Sequence, residues 1–251
     1  LRITPENVAQ ADHPMWFFGC SFAVGEGVND EETLPYLFSA KTGLKTYNFG
    51  FHGYGPHQML RMLETTYIAD IDPRTPSLVF YIAISVHIER AAGLVLWDKD
   101  GPNYILDGDT AIYAGKFSDG NIVGRYADKI AGKSMVYEQV IRPLIFKRKD
   151  SDRDRYVGIV KTSADLVRNK YGSKLVVVLW DVFADRSDAS DADSDFMEKE
   201  LVKRGLEVVR VSQALGRDTY KQYHIPGDGH PTATGFNKVA DLLVKARVEN
   251  R

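Results

Sequence analysis

The sequence of 251 residues predicts one α/β domain, a doubly wound three-layer sandwich whose central sheet is mostly parallel and has five strands. Short runs of β-branched and aromatic residues alternate with longer segments of helical periodicity, as is typical of βαβ units. The longest apolar run, LVFYIAIS (78–85), is continuous, as expected for a central parallel strand covered on both faces. The apolar content of 44% is ordinary for a globular protein, and the length fits one large domain over residues 1–251.

Five apolar runs of strand length define the predicted sheet. They are residues 15–20 (MWFFGC), 44–50 (LKTYNFG), 77–85 (SLVFYIAIS), 174–181 (KLVVVLWD) and 206–212 (LEVVRVS). Each contains several of the aromatic or β-branched residues that pack well in strands. Helical segments between the runs provide the crossovers that parallel strands require.

The segments between the strands carry helical signals. Predicted helices cover residues 31–44, 56–70, 134–146, 156–170 and 194–205, and a long helix closes the chain after a loop at 224–232. Pro56 stands at a first helical position, and Met59 and Leu63 recur on one face of the helix that follows. Gly43 and Gly205 stand where two other helices end, as is typical of helix C-termini.

Past residue 90 the alternation breaks, and we expect a β-rich insertion near residues 94–126. Three Asp-Gly pairs, at positions 100–101, 107–108 and 119–120, are turn signals between short β-prone runs. The mixed-charge run KRKDSDRDR (147–155) is predicted to be a solvated connection.

Charge and cysteine content exclude several classes of protein. The formal net charge of −2 gives no electrostatic basis for binding nucleic acid or an anionic membrane. No apolar run approaches the ~18 residues of a membrane span. The single cysteine, Cys20, excludes an internal disulfide and a cysteine-based zinc site. The chain starts at Leu1 without a leader, so we expect a truncated region upstream, and the compartment is not predicted.

The ligand site of a doubly wound sheet lies beyond the carboxyl ends of the strands. That edge is predicted to carry the loops at 19–28, 50–57, 85–93, 181–186 and 224–232. Ser21 follows the first strand, and a serine needs a base before it can act as a nucleophile. His230, before the last helix, supplies the base, and Asp228 can orient its imidazole. The alternative is two plain turns, with Thr232 or Thr234 capping the final helix.

Three short motifs resemble the conserved blocks of the SGNH, or GDSL-type, esterases. In FFGCSFAVGEGV (17–28), the Gly-Asp-Ser-x-x-x-Gly block is matched with Cys20 in place of Asp. NFGFHG (48–53) is similar to the second block, and DGHP (228–231) is similar to the last. The resemblance extends over residues 15 to 246 and implies a flavodoxin-like SGNH hydrolase fold.

The resemblance also implies a chemistry and a substrate class. Ser21 would attack an ester, His230 would act as base and then acid, and the N–H groups of Ser21 and Gly53 would stabilise the oxyanion. No metal or cofactor is expected. The expected substrate is a small-molecule or polysaccharide ester, with an O-acetyl group on a carbohydrate as the first choice. An acyltransferase using the same triad and a non-catalytic carbohydrate-binding protein are the alternatives, and the oligomeric state is not predicted.

The chain departs from the family pattern at two places. The third block, Gly-x-Asn-Asp, is replaced by SVHIER (85–90), so that His87 stands where an oxyanion-hole Asn is expected. His87 is either a third oxyanion donor or a structural histidine, and Arg90 is a candidate for binding an acid or sugar of the substrate. Asp228 lies two residues before His230 instead of three, so a Ser-His dyad or an orienting Asp181 are alternatives.

Several other features have a functional and a structural interpretation. Four aromatic residues of the insertion could form a wall that stacks on a sugar, although packing within the insertion is the simpler interpretation; they are Trp97, Tyr104, Tyr113 and Phe117. Cys20 is interpreted as a buried structural thiol instead of the nucleophile. A metal cluster of the histidines at 52, 57, 87 and 230 is disfavoured, because no carboxylate accompanies them in a known ligand spacing.

Overall fold

The computed structural model describes residues 4–5, 13–119, 148–182 and 187–249. Its strands are β1 (Met15–Gly19), β2 (Thr46–Asn48), β3 (Leu78–Ala83), β4 (Pro102–Asp107), β5 (Thr110–Lys116), β6 (Leu175–Leu179) and β7 (Glu207–Arg210). Five of them form one parallel sheet in the order β2-β1-β3-β6-β7. The predicted α/β fold with a central five-stranded sheet is therefore confirmed.

Helices cover both faces of this sheet. They are α1 (Ser21–Val24), α2 (Leu34–Thr42), α3 (Pro56–Glu64), α4 (Tyr67–Ile71), α5 (His87–Ala91), α6 (Asp150–Tyr171), α7 (Asp188–Lys203), α8 (Ser212–Leu215) and α9 (Ala233–Glu249). Within the described ranges, none of these helices is both long and apolar enough to cross a membrane.

Alternate side chains of each strand enter two separate cores. In β1, Trp16 and Phe18 pack towards α3, α6 and α7, whereas Met15 and Phe17 pack towards α2 and α9. Successive strand side chains point to opposite faces of a sheet, so a strand buried on both faces is apolar throughout. This explains why the strands were visible in the sequence as continuous apolar runs.

Three predicted helix boundaries are wrong. The helix predicted over 56–70 is two helices, because Thr65 is extended at the end of α3. The helix predicted from residue 156 begins at Asp150, so most of the run predicted to be a solvated connection is its first two turns. Asp152 accepts the N–H of Lys149 at 2.7 Å and, with Asp150, complements the positive end of the helix dipole.

Helix α7 begins at Asp188, six residues before the predicted start. Ser187 and Ser190 cap it reciprocally, with the N–H of Ser187 donating to the Ser190 hydroxyl at 2.9 Å. The predicted helix at 134–146 and the predicted turn at 119–120 fall wholly or partly outside the described residues.

The insertion is an antiparallel hairpin of β4 and β5 that turns at Asp107–Gly108, as the turn signal predicted. It packs on the helices through buried Tyr104, whose hydroxyl donates to Glu64 at 2.7 Å. The N–H of Ala111 donates to the Thr162 hydroxyl of α6 at 2.8 Å. The hairpin is therefore attached to the main domain by its own side chains.

Candidate active site

Ser21 is placed at the carboxyl edge of the sheet by an abrupt change from strand to helix. Strand β1 ends at Gly19, where a Cβ atom would lie 2.7 Å from the carbonyl oxygen of Ile82, so only glycine lets β1 approach β3 this closely. Helix α1 starts two residues later, and the Cys20 carbonyl accepts the N–H groups of Ala23 and Val24. The Ser21 side chain therefore stands at the start of a helix, above the end of the central strands.

The structure brings the three predicted side chains of the catalytic group together. The Nε2 atom of His230 lies 2.8 Å from the Oγ atom of Ser21, although the two residues are 209 positions apart. On the other side of the ring, Nδ1 of His230 bonds Oδ1 of Asp228. The same carboxylate oxygen accepts the backbone N–H of His230 at 3.1 Å. The ring can therefore take a proton from Ser21 while Asp228 holds its orientation.

The His230 bonds also set the charge state of Asp228. Bonds from the His230 ring, and then from the His230 backbone, hold the pKa of this carboxyl below its usual range. A spacing of two residues is sufficient because the loop folds back on itself. The N–H of Ile225 donates to the His230 carbonyl at 2.8 Å, and Gly229 donates to the Ile225 carbonyl at 3.0 Å.

Gly53 and Ser21 offer backbone N–H groups at the same edge of the sheet. Asn48, at the end of β2, donates to the Ala23 carbonyl at 2.9 Å and accepts the N–H of Gly50 at 3.0 Å. These bonds fix the loop that carries Gly53 next to helix α1. Within the described part of the chain, neither the Ser21 nor the Gly53 N–H donates a hydrogen bond, which leaves both for an incoming oxyanion.

Comparison with solved structures finds the same architecture in esterases. A G-D-S-L family lipolytic protein from Desulfitobacterium hafniense DCB-2 is similar over 92% of this chain and 98% of its own, with a TM-score of 0.54 at 10% identity. The esterase EstA from a Pseudoalteromonas species is similar over 95% of this chain and 100% of its own, with a TM-score of 0.51 at 10% identity. The chain has the SGNH hydrolase fold.

A third structure extends this likeness to carbohydrate esterases. It is a carbohydrate esterase described as having divergent catalytic and non-catalytic binding functions, similar over 98% of this chain and 68% of its own, with a TM-score of 0.54 at 12% identity. No protein-family model and no curated protein matches the sequence.

His87 lies in the interior of this SGNH fold. Its side chain is fully buried, and Nδ1 lies 2.7 Å from the hydroxyl of Tyr81 on β3. Burial, with the nearby charges of Arg90 and His57, lowers the pKa of His87 well below its usual value, so the ring is neutral. Among the described residues, Nε2 of His87 has no hydrogen-bond partner, so the choice between an oxyanion donor and a structural histidine stays a prediction.

Arg90 is placed as a support for the Gly53 loop. Its guanidinium donates to the carbonyl of Tyr54 at 2.9 Å and so ties helix α5 to residues 50–55. No described contact directs it to a substrate, and its predicted binding role stays a prediction.

Asp181, the alternative orienting acid, bonds Ser212 in this structure, whereas Asp228 bonds the His230 ring. Asp181 is buried and accepts both the N–H of Ser212 at 2.9 Å and its hydroxyl at 2.6 Å, which places it at the start of helix α8. Cys20 is fully buried, as predicted for a structural thiol. Among the residues that the structure describes, no three His, Cys, Asp or Glu side chains are grouped to hold a metal ion.

One side of His230 opens into a cavity of about 380 Å³ with both polar and apolar walls. Phe22, Ser85 and Glu89 are among the residues that line it, with Arg148 and Asp193 at its far side. Arg148 forms a bidentate ion pair with Asp193. The Nη1 atom of Arg148 also lies 4.0 Å from Oε1 of Glu89. Burial is the main cause that raises the pKa of the Glu89 carboxyl.

Exposed aromatic rings lie on and beside the loop that carries Gly53. Phe51, Tyr67 and Trp97 are 55%, 50% and 67% exposed. Phe51 and Tyr67, with Tyr54, also line a groove of about 340 Å³. We call these four residues, Phe51, Tyr54, Tyr67 and Trp97, the aromatic rim. Only Trp97 of the rim belongs to the four aromatics predicted as a sugar wall.

Asp98 fixes the position of Trp97. Its Oδ2 atom accepts from Nε2 of Gln58 at 2.6 Å and lies 2.6 Å from Nε2 of His57, both on α3. The other three aromatics of the insertion differ in burial: Tyr104 is buried, Tyr113 is 38% exposed, and the partly buried Phe117 ring lies 5.4 Å from that of His57. Tyr113 stacks on Arg61, with the guanidinium 3.9 Å from its ring centre.

Glu26 and His52 are two further residues at the site that no sequence motif indicated. Oε2 of Glu26 lies 3.4 Å from Nε2 of His230 and 2.7 Å from Nδ1 of His52. Neither residue belongs to a recognisable motif position, and the only available signal was that both fall in loops predicted to lie at the ligand edge.

Proposed function

We propose that the protein is a serine esterase that removes a short acyl group, such as acetyl, from a carbohydrate. The observation that carries the proposal is the hydrogen-bonded series Ser21–His230–Asp228 at the carboxyl edge of an SGNH fold. A serine hydroxyl bonded to the free nitrogen of an oriented imidazole is the arrangement needed to activate a nucleophile.

The proposed reaction has two halves. Ser21 Oγ attacks the ester carbonyl carbon while its proton passes to Nε2 of His230. The resulting oxyanion accepts the N–H groups of Ser21 and Gly53, and each such donor is typically worth about 3 kcal/mol in the transition state. The alcohol leaves with the proton from His230. Water then attacks the acyl-enzyme by the same route and releases the acid.

Two features support a carbohydrate as the alcohol part of the substrate. The exposed rings of the aromatic rim stand beside Gly53, and flat apolar faces of this kind can pack against the C–H faces of sugar rings. The cavity on the opposite side carries Glu89 and Arg148, which can bond hydroxyl groups. The charged groups in that cavity would be unfavourable neighbours for a long acyl chain.

The first test is hydrolysis of p-nitrophenyl esters of two, four and eight acyl carbons, with wild type beside Ser21→Ala and His230→Ala. We expect activity highest on the acetate and lost by at least about 10³-fold in both variants. Ser151→Ala and His13→Ala, at exposed positions away from the site, are matched controls that should keep wild-type rates.

The second test compares acetylated oligosaccharides with p-nitrophenyl acetate. Release of acetate from the oligosaccharide with a lower KM supports the carbohydrate assignment. Activity restricted to octanoate would contradict it, and absence of Ser21-dependent activity in the folded protein would contradict the esterase itself.

A further inference from the structure

Glu26 lies beside Nε2 of His230, the nitrogen that accepts and returns protons in the proposed reaction. Its Oε2 atom lies 3.4 Å from Nε2 of His230, the atom that also faces Ser21 Oγ at 2.8 Å. The other ring nitrogen is occupied by Asp228. A carboxylate beside Nε2 can bond the ring when that nitrogen carries a proton, and it can bond a group that approaches Nε2 when the nitrogen is free.

One contact holds the Glu26 side chain, which is 40% exposed, and two further contacts fix its backbone and the next residue. His52 lies 2.7 Å from the same Oε2 atom, and the Glu26 N–H donates to the Ser21 carbonyl at 3.0 Å. The next residue, Gly27, packs against the loop that carries His230, because a Cβ atom there would lie 2.4 Å from Cδ1 of Ile225. Glu26, Ser21 and His230 are therefore parts of one packed unit.

The chemistry of the two atoms determines which group, lying beside them, can bond both. The Nε2 atom of a neutral imidazole and a carboxylate oxygen are both acceptors, so they do not hydrogen-bond each other. A water molecule has two O–H donors and can bond both. An alcohol has one O–H group, and if it donates to Nε2 it has nothing to offer Glu26.

We propose that Glu26, held by His52, is a positioning residue that selects water as the nucleophile and so commits the acyl-enzyme to hydrolysis. This inference rests on the proposed serine esterase function. It bears directly on the choice between hydrolase and acyltransferase, which the sequence leaves open.

The step that Glu26 assists is the breakdown of the acyl-enzyme. One O–H of water bonds Oε2 of Glu26, which aims the water oxygen at the acyl carbon. That oxygen bonds the carbon, its other proton moves to Nε2 of His230, and the carbonyl electron pair becomes the oxyanion. The intermediate collapses as the bond between the carbon and Ser21 Oγ breaks, and Oγ takes the proton from Nε2. The product is the free acid, and Glu26 is unchanged.

Partitioning of the acyl-enzyme between water and methanol tests the inference. Enzyme is mixed with p-nitrophenyl acetate in buffer containing methanol, and p-nitrophenol, acetate and methyl acetate are all measured. Methanol is small enough to need no binding site of its own. The variants are Glu26→Leu, which removes the acceptor, and His52→Leu, which releases Glu26. Glu31→Leu is the matched control, since Glu31 is an exposed glutamate nearby in sequence.

We expect Glu26→Leu to raise the ratio of methyl acetate to acetate about tenfold, because the water reaction loses its positioning group and the methanol reaction does not. His52→Leu should move the ratio in the same direction by less, and Glu31→Leu should leave it unchanged. The ratio is independent of the amount of active enzyme, so partial misfolding of a variant does not affect it.

Two results would count against this assignment in different ways. Ser21-dependent release of p-nitrophenol with an unchanged product ratio in Glu26→Leu would overturn the role of Glu26 and leave the esterase standing. No Ser21-dependent release in the wild type would overturn both proposals together.

Discussion

Trp97 lies directly against Gly53, such that a Cβ atom added at Gly53 would stand 2.8 Å from the indole Nε1 atom. The contact joins the aromatic rim to the backbone N–H that we assign to the oxyanion. Gly53 also has a positive φ of +75°, which side-chain-bearing residues seldom adopt. Any side chain at this position must therefore distort the loop and displace the ring together.

Substitution Gly53→Ala should lower kcat for p-nitrophenyl acetate by about 10²-fold, because the loop shift misaligns one oxyanion donor. The matched control is Gly108→Ala in the hairpin turn, where φ is +57° and no atom lies within 4 Å of the added methyl group. Both variants bear similar backbone strain, but only the first should lose activity. Equal kcat values for the two variants would contradict the oxyanion assignment.

Asp228→Asn should lower kcat by about 10³- to 10⁴-fold while leaving the fold intact, because the amide cannot stabilise the charged imidazole or fix its tautomer. Rates at saturating ester concentration measure the effect, and circular dichroism checks the fold. Asp218→Asn, at an exposed position, serves as the control. A loss below about tenfold would instead support a Ser-His dyad.

Trp97→Ala should separate substrate binding from chemistry. The ring is 67% exposed and contributes to the aromatic rim, so its removal should raise KM for an acetylated oligosaccharide about tenfold. For p-nitrophenyl acetate, which has no sugar ring to pack on the indole, kcat/KM should change less than twofold. Ile105→Ala is the control, because Ile105 is also exposed and lies on the hairpin. Parallel changes for both substrates would contradict a rim that binds sugar.

The sequence predicts which helices and strands are present better than it predicts where each of them begins and ends. Central strands such as β3 are apolar on both faces, so they appear in the sequence as continuous apolar runs. The start of α6 was missed because its first turns are charged and are stabilised by Asp152 at the cap, not by an apolar stripe. Apolar periodicity carries no information about a turn of this kind.

The residues of the candidate site could also be predicted only in part. Ser21, Asp228 and His230 were predicted because each lies in a short motif, in a loop expected at the carboxyl edge of the sheet. Glu26 was not, because its partners are 26 and 204 positions away and meet it only when the loops pack. Two roles stayed open for His87, because the sequence does not show that helix α5 starts there and turns the ring towards Tyr81 in the core.

Buried neutral histidines should make stability depend on pH. Burial, which is the first cause in both cases, lowers the pKa of His57 and of His87, with the bond from Asp98 partly offsetting the shift at His57. In the unfolded chain both rings take up protons as the pH falls through about 6.5. Above that pH neither the folded nor the unfolded state binds a proton at these two rings, so they do not change the free energy of unfolding. Below it the unfolded state gains protons that the folded state does not bind, so stability falls towards the lowered folded-state pKa.

His87→Gln isolates this contribution, because a glutamine can still bond the Tyr81 hydroxyl but does not titrate. Between pH 6.5 and pH 5.5 the free energy of unfolding should fall less steeply in the variant than in the wild type, by about 1 kcal/mol per pH unit. Urea denaturation across this range measures both slopes. The exposed His13→Gln serves as the control and should keep the wild-type slope. A variant whose slope equals that of the wild type would show that His87 is protonated in the folded protein, contrary to its burial.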